Sequence, residues 1–555
     1  MKTLNKIFAS ATVALAAMSL TSCVNDLDLT PTDPSTVTAG SFAEDPKGYM
    51  DRVLADVYMS FVNHGPNNSS QVSGFDGGMS TFQRAIFNLE EVPSDETCWL
   101  SSSDAAIYQL QFGQASADNA AVFGAYSRLI INVALCNDFI RTVNEGLFSL
   151  PESLQSEAQE NVRQCKILRS ICYFYLINFF GNVPYADESD PMGTVAPQTS
   201  RAEVFNLVTQ TLEDVLAEYG SAGYKQAAYG YVGKDVAEAY LVKFYLNAGV
   251  FTGTTMYDKC LAHAQNLIAA HQGSGFQNSG LCQYYHQNFA ANNSSVTISK
   301  GANTVDEVLW MLPANTPNIT SYGGSTLMLL GWLSGDNCAD YNCGNGWKCM
   351  AARTQFVDKF SWSDAEQTVS KDDRVSLWLT AKDGHVNANP SLNQVDYGEN
   401  GYAAVKLYNW NMNADGTWDK VNQPAFSGDG QLTVGWPMLR LAEVYLSAAE
   451  AILQGAGAKA DALTYVNLIR QRAGLNQWSD SQLSLETLRD ERCRELYTEC
   501  TRRTDLIRYG QWISGYNWNW KNNSATGSDF SSNFNLYPIP ATIIAQTTYQ
   551  QNPGY

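Results

Sequence analysis

The stretch Ser156 to Phe180 constrains the fold more than any other part of this chain. Apolar residues recur there at three-to-four spacing, the signature of an amphipathic helix. It stops at Phe180-Gly181-Asn182-Val183-Pro184, where Gly ends a helix and Pro prevents its resumption. The same spacing runs through Asp118 to Asn144 and predicts a second long helix. Ser200-Arg201-Ala202-Glu203 fits a capping box that opens a third, to about Tyr219. Two more are expected over 234–249 and 257–271, joined by a short loop around Gly253.

Paired helices with short connections point to tetratricopeptide-like hairpins. No strict repeat of about 34 residues aligns, and a generic helical bundle satisfies the same periodicity. Residues 273–436 change character: Gly, Asn, Ser and Thr dominate, with Trp and Tyr scattered among them. Strand-like runs appear at Glu307 to Leu312 and Ala403 to Trp410. Helical spacing returns at Leu439 to Gln454, Asp461 to Ala473 and Leu485 to Arg508. In the last of these, Asp490–Arg494 and Glu499–Arg503 stand at i,i+4, the spacing of weak surface ion pairs. The expected fold is mainly α, with helix pairs on both sides of a large loop-rich insert that carries short strands. The expected divisions are 1–22, 23–44, 45–272, 273–436 and 437–555.

The first 22 residues hold Lys2, Lys6 and an Ala-rich apolar run from Ile7 to Leu20. That is a secretory leader, too short to span a bilayer. It ends in Leu20-Thr21-Ser22-Cys23, which looks like a bacterial lipobox. Cys23 is then the lipidated N-terminus, and several acyl chains hold far more firmly than one. Residues 23–44 are polar, with Pro31 and Pro34, and read as an extended tether. The chain carries a net charge of -20, and loss of the two leader lysines takes it to -22. A surface this acidic repels nucleic acid and anionic lipid, so neither is an expected partner. No later apolar stretch is expected to cross a membrane.

Eleven cysteines follow Cys23. Cys165 and Cys172, like Cys493 and Cys500, are seven apart on predicted helices, about 10.5 Å of rise, beyond disulfide reach. Cys338, Cys343 and Cys349 share a Gly/Asn loop, where a disulfide, free thiols and, with Cys282 or His385, a metal site are all open readings. Gly455-Ala456-Gly457-Ala458-Lys459-Ala460 matches a nucleotide-loop pattern but links two helices and follows no strand. Asn411, Asn413, Asp415 and Gly416 match the start of a calcium loop, yet Asn422 stands where the bidentate Glu belongs, so a hairpin turn is expected. The five histidines form no cluster, and no cofactor or metal is expected. The adjacent carboxylates Glu90-Glu91 and Asp372-Asp373 read as solvated charge rather than a hydrolytic pair. Nothing points to an enzyme.

Four stretches together resemble the SusD/RagB family of nutrient-binding lipoproteins: Gln164 to Tyr185, Leu439 to Ile452, Tyr465 to Leu475 with Arg489 to Gly510, and Asn535 to Ala541 closing in Gln551-Asn552-Pro553-Gly554-Tyr555. The resemblance implies a SusD-like fold, lipid-anchored and exposed on the outer membrane. It implies an oligosaccharide ligand, or a peptide in RagB-like relatives, and a SusC-like TonB-dependent transporter as partner. A secreted glycoside hydrolase is the rival from another class. Asp26 and Asp28 resemble the surface-export signal of such lipoproteins, and Cys493 and Cys500 depart from the Arg or Gly more usual in relatives.

With Trp 13, Tyr 29 and Phe 23, aromatic rings are the natural ligand candidates. A flat Trp or Tyr ring shields the C–H face of a sugar while polar neighbours bind its hydroxyls. Trp99 lies in a region similar to one that touches ligand in glycan-binding relatives. Tyr322, Trp332 and Trp347 lie in the Gly-rich insert, where loops can present them. Each ring has a core alternative.

Overall fold

The computed structural model describes residues 42, 44–63, 77–146, 150–191, 193–224, 229–273, 276–293, 307–319, 322–360, 372–379, 402–426 and 432–555. The leader, Cys23, Asp26, Asp28 and His385 lie outside the described residues. Helix α1 (Pro46–Val62) starts where the Asp45 side chain accepts the Gly48 N–H at 3.0 Å and Pro46 supplies the first turn. With α2 (Phe82–Glu90) it packs on α3 (Ala120–Gly146); β1 (Thr97–Trp99) lies between α2 and α3 in the chain. From α3 onward each helix packs on the next: α4 (Glu152–Phe180), α5 (Arg201–Tyr219), α6 (Lys234–Leu246) and α7 (Tyr257–His271). Aromatic rings knit α4 to its neighbours, with Phe174 and Phe244 edge to face at 5.1 Å and Phe205 5.9 Å beyond Phe244. The stop at Gly181 holds, with φ +70° and its N–H on Ile177 O. Helix α3 is long and apolar enough to cross a membrane by length and composition, contrary to expectation. It is packed on α1, α2 and α4, and its Arg128 is buried on Ser80 O and Ser60.

The insert is built from short pieces: β2 (Val308–Leu312), α8 (Ser325–Leu330), β3 (Met350–Ala352) and a hairpin of β4 (Asn411–Met412) and β5 (Trp418–Asp419). The hairpin turns at Asp415-Gly416, where Asp415 Oδ1 accepts the Thr417 N–H at 3.0 Å and Gly416 takes φ +84°. Ala403–Trp410, expected as a strand, makes isolated bridges only. Strand β6 (Trp436–Arg440) ends the insert and pairs antiparallel with β2, so Leu439 and Arg440 belong to a strand and not to the following helix.

Helix α9 (Leu441–Ala451) packs on α7 across the whole insert, and α10 (Lys459–Arg472) packs on α9. The two helical regions thus form one continuous stack from which the insert loops out. The helix expected from Leu485 to Arg508 is broken into α11 (Leu485–Leu496) and α12 (Arg502–Arg508), with Thr498 and Cys500 in the left-handed region. Buried carboxylates cause the break. Glu96 accepts the Thr498 N–H at 3.0 Å, Glu91 the Thr501 N–H at 2.9 Å and Glu90 the Thr504 N–H at 2.9 Å, so α12 begins on acidic caps. Glu90 and Glu91 are therefore core residues and not solvated charge. Burial, with Glu96 beside it, pushes the Glu91 carboxyl well above the usual range.

The insert is locked to the stack by ions with almost no exposure. Arg440 donates to Glu307 at 2.8 Å, Glu495 at 3.0 Å and Glu499 at 2.8 Å. Arg472 joins Glu307 to Glu495, Arg374 joins Asp372 to Glu491, and the Lys406 ammonium donates to Glu499 at 2.6 Å. The i,i+4 pairs expected on α11 give way to this arrangement, with Arg494 turned to Glu491 at 2.6 Å. Asp372 is likewise buried, while Asp373 is exposed. Burial alone would raise the Glu307 carboxyl, but Arg472 and Arg440 hold it down at about 2; Arg374 and its neighbours do the same for Glu491. Such depressed groups stabilise the fold above their unfolded pKa of about 4.5 and lose that contribution as pH falls through about 2. Each contributes on the order of 3 kcal/mol at neutral pH. Denaturant midpoints measured from pH 7 to pH 2 are expected to fall steeply below pH 5, and less steeply in Glu307→Gln, which starts from a lower stability.

Candidate functional site

Helix α8, strands β1 and β3 and the loop between α8 and β3 build the region that carries the candidate aromatics. Strand β1 pairs antiparallel with β3, placing Trp99 opposite Met350, and the Leu100 N–H extends the pairing to Cys349 O at 2.7 Å. The carboxyl end of α8 captures the loop: Leu330 O accepts the Trp347 N–H at 2.7 Å and Gly331 O accepts the Met350 N–H at 2.9 Å. Two close approaches require glycine. A methyl on Gly346 would lie 2.1 Å from Leu333 O, and one on Gly323 would lie 2.2 Å from Gly78 O. These contacts press the loops bearing Trp347 and Tyr322 onto the framework.

The structure separates the four rings into two pairs. Tyr322 is 36% exposed and Trp347 is partly exposed, with ring centroids 6.3 Å apart and planes at 40°. Trp99 and Trp332 are each 1% exposed, so neither offers a face to ligand in this conformation. Trp99 is covered by the Arg84 guanidinium, 4.9 Å from its centroid, and Arg84 in turn donates to Asn88 at 3.1 Å. The indole N–H of Trp99 has no hydrogen-bond partner among the described residues. Trp332 follows α8 directly and packs in the main core. Trp99 and Trp332 thus take their core alternative, while Tyr322 and Trp347 keep part of a ring at the surface. Cys349 lies beneath Trp347 in the chain, and burial pushes its thiol up to about 12.

The remaining chemical candidates are absorbed by structure. Glu90 and Glu91 are occupied by the backbone of α12, and Asp372 by Arg374, so these carboxylates do not face a cleft as a hydrolytic pair. Among the described residues no group of three or more His, Cys, Asp or Glu side chains is placed to hold a metal ion. Cys338, Cys343 and Cys349 are buried free thiols, with Cys343 Sγ donating to Cys338 O at 3.3 Å. Sequence reasoning missed Arg84 and its neighbour Gln83, which carry only the mark of an ordinary amphipathic helix.

The model of the SusD family matches residues 252–555. Over its whole length the chain is 29% identical to the starch-binding protein SusD of Bacteroides thetaiotaomicron, covering 99% of that protein. Among solved structures, surface glycan-binding protein A of the same species in complex with laminarihexaose matches with a TM-score of 0.65 at 18% identity, covering 91% of this chain and 99% of that one. The corresponding protein of Bacteroides fluxus matches with a TM-score of 0.66 at 19% identity, covering 92% and 99%.

The division into surface and buried rings has a thermodynamic consequence. Trp99→Ala and Trp332→Ala each remove a fully packed indole and are expected to cost about 3–5 kcal/mol of stability. Tyr322→Ala is expected to cost less than about 1 kcal/mol. Chemical denaturation of the three single variants measures the contrast.

Proposed function

The chain belongs to the SusD family, and from that membership we propose that it is a cell-surface lipoprotein that captures an oligosaccharide and passes it to a SusC-like TonB-dependent transporter in the outer membrane. The observation that carries the binding part is the Tyr322–Trp347 pair, two rings held at the surface by loops braced on α8. Full-length similarity to a starch-binding protein and fold similarity to a protein solved with laminarihexaose support a glycan as ligand class. The tasks that remain for such a site are stacking and hydrogen bonding. Neither needs an acid, a base or a metal.

The lipobox supports the anchored half of the reading: Cys23 would be the acylated residue, joined to the folded body by the polar stretch that follows. The leftover surface of the helical stack is the natural docking area for a barrel transporter, because stacked helix pairs leave their outer faces free.

Trp347→Ala and Tyr322→Ala are each expected to weaken binding of a linear α-1,4- or β-1,3-glucan oligosaccharide by about 1–3 kcal/mol, the scale of losing one stacked ring face. Calorimetric titration against both glucans, with a mixed peptide library as control, checks this; unchanged glycan affinity in both variants would refute it.

Cys23→Ala is expected to move the protein from the membrane to the soluble fraction. Wild-type protein with an unmodified cysteine by mass spectrometry would overturn the anchoring.

A further inference from the structure

A small cavity bordered by Gly324, two residues after Tyr322, has an unusual floor. Gln83, on α2, is 1% exposed, and neither its amide nitrogen nor its amide oxygen has a hydrogen-bond partner among the described residues. An amide left in this state costs several kcal/mol in an apolar setting unless something polar joins it. The space it faces is about 20 Å³, walled by Phe61, Pro313, Ala314, Ser325 and Thr326. That admits one water-sized group, such as a water molecule or a single sugar hydroxyl.

The opposite wall leads to a second aromatic surface. Gly230, at φ +88°, lies against Pro313, where an added methyl would come within 3.2 Å. It is flanked by Tyr229 and Tyr231, 38% and 43% exposed. Both rings are braced. The Tyr229 hydroxyl is inserted at the Ala314 backbone, where a methyl on Gly435 would meet it at 2.1 Å, so its tip is buried while its ring is open. Tyr231 packs against Tyr58 with ring centroids 4.7 Å apart and planes tilted at 59°, and the Tyr58 hydroxyl accepts the Val232 N–H at 3.1 Å while donating to Gln164 at 2.6 Å. Exposed rings held this firmly lose little freedom when a ligand covers them.

We infer that the oligosaccharide site extends across this cavity, from Tyr322 and Trp347 to a second platform at Tyr229 and Tyr231, with the Gln83 amide reading one sugar hydroxyl between them. The inference rests on the glycan-binding function proposed above and deepens it. It assigns a hydroxyl-specific contact to Gln83 and makes the site long enough to favour oligosaccharides over short ones. A buried amide that is satisfied only by a correctly placed hydroxyl discriminates strongly against sugars lacking one there.

The test is calorimetric titration of the full folded protein with a ladder of linear α-1,4- and β-1,3-glucans from trimer to heptamer. Wild type, Gln83→Met, the double variant Tyr229→Ala/Tyr231→Ala, and Trp347→Ala are compared, with thermal unfolding to show that each is folded. Wild-type affinity is expected to rise along the ladder of whichever glucan binds. The double tyrosine variant is expected to flatten that rise while leaving trimer affinity unchanged. Gln83→Met, which keeps the shape and removes the polar atoms, is expected to lose about tenfold in affinity without loss of thermal stability. If Trp347→Ala weakens binding but Gln83→Met and the double tyrosine variant bind every rung like wild type, the extension is wrong, the cavity holds a structural water, and the proposed function stands. Binding of no glucan by wild type would overturn both.

Discussion

The buried ions around Arg440 and Glu495 determine where the insert can sit. An insert built of strands two to five residues long and α-helices of six residues or fewer has little regular hydrogen bonding to fix it, so its position must come from elsewhere. Glu307, Arg374 and Lys406 reach out of it and meet Arg440, Arg472, Glu491, Glu495 and Glu499 at distances of hydrogen-bonded ion pairs. Charges with no exposure are stable only when paired, and removing one partner leaves another stranded. Each alternative placement of the insert therefore strands at least one ion, which penalises misdocking more than apolar contact alone. Glu491 and Glu495 stand one turn apart on α11 and Glu499 lies in the break that follows it, so one short segment supplies most of the negative charge of the lattice.

Much of the helical stack is legible in the sequence because its helices are amphipathic and end at recognisable residues. The range 257–271 is recovered as read, and the α4 stop at Gly181 follows from the glycine. The failures share a cause. Leu439 and Arg440 fit the rhythm of the next helix, yet strand pairing with Val308–Leu312 wins. Leu485 to Arg508 has helical propensity throughout, but carboxylates about four hundred residues earlier capture the backbone at Thr498 and Thr501. Local pattern cannot register a distant partner. The same limit governs the site. Aromatic type marks Trp99, Tyr322, Trp332 and Trp347 equally, while tertiary packing covers Trp99 and Trp332 and leaves Tyr322 and Trp347 partly open. Gln83 left no mark at all, since an amide inside a helix gains meaning only from what surrounds it.

The placement of the surface rings follows from the same architecture. Tyr322 and Trp347 lie on short loops, but those loops are pinned at glycines, Gly323 against Gly78 and Gly346 against Leu333. A ligand that stacks there meets rings whose orientation is already set, so little of the binding energy is spent on ordering them.

The acidic caps of α12 also bear on when this chain can become a folded object. Glu90, Glu91 and Glu96 are made early in the chain, and the N–H groups they hold belong to Thr498, Thr501 and Thr504 near its end. Until that final portion arrives, the early segment carries buried-type carboxylates with nothing to receive them. Closure of so long a loop is slow and cannot be rehearsed by local structure. A polypeptide of this design completes its core only when its early and late helices meet, so its two ends are held to a single folding event.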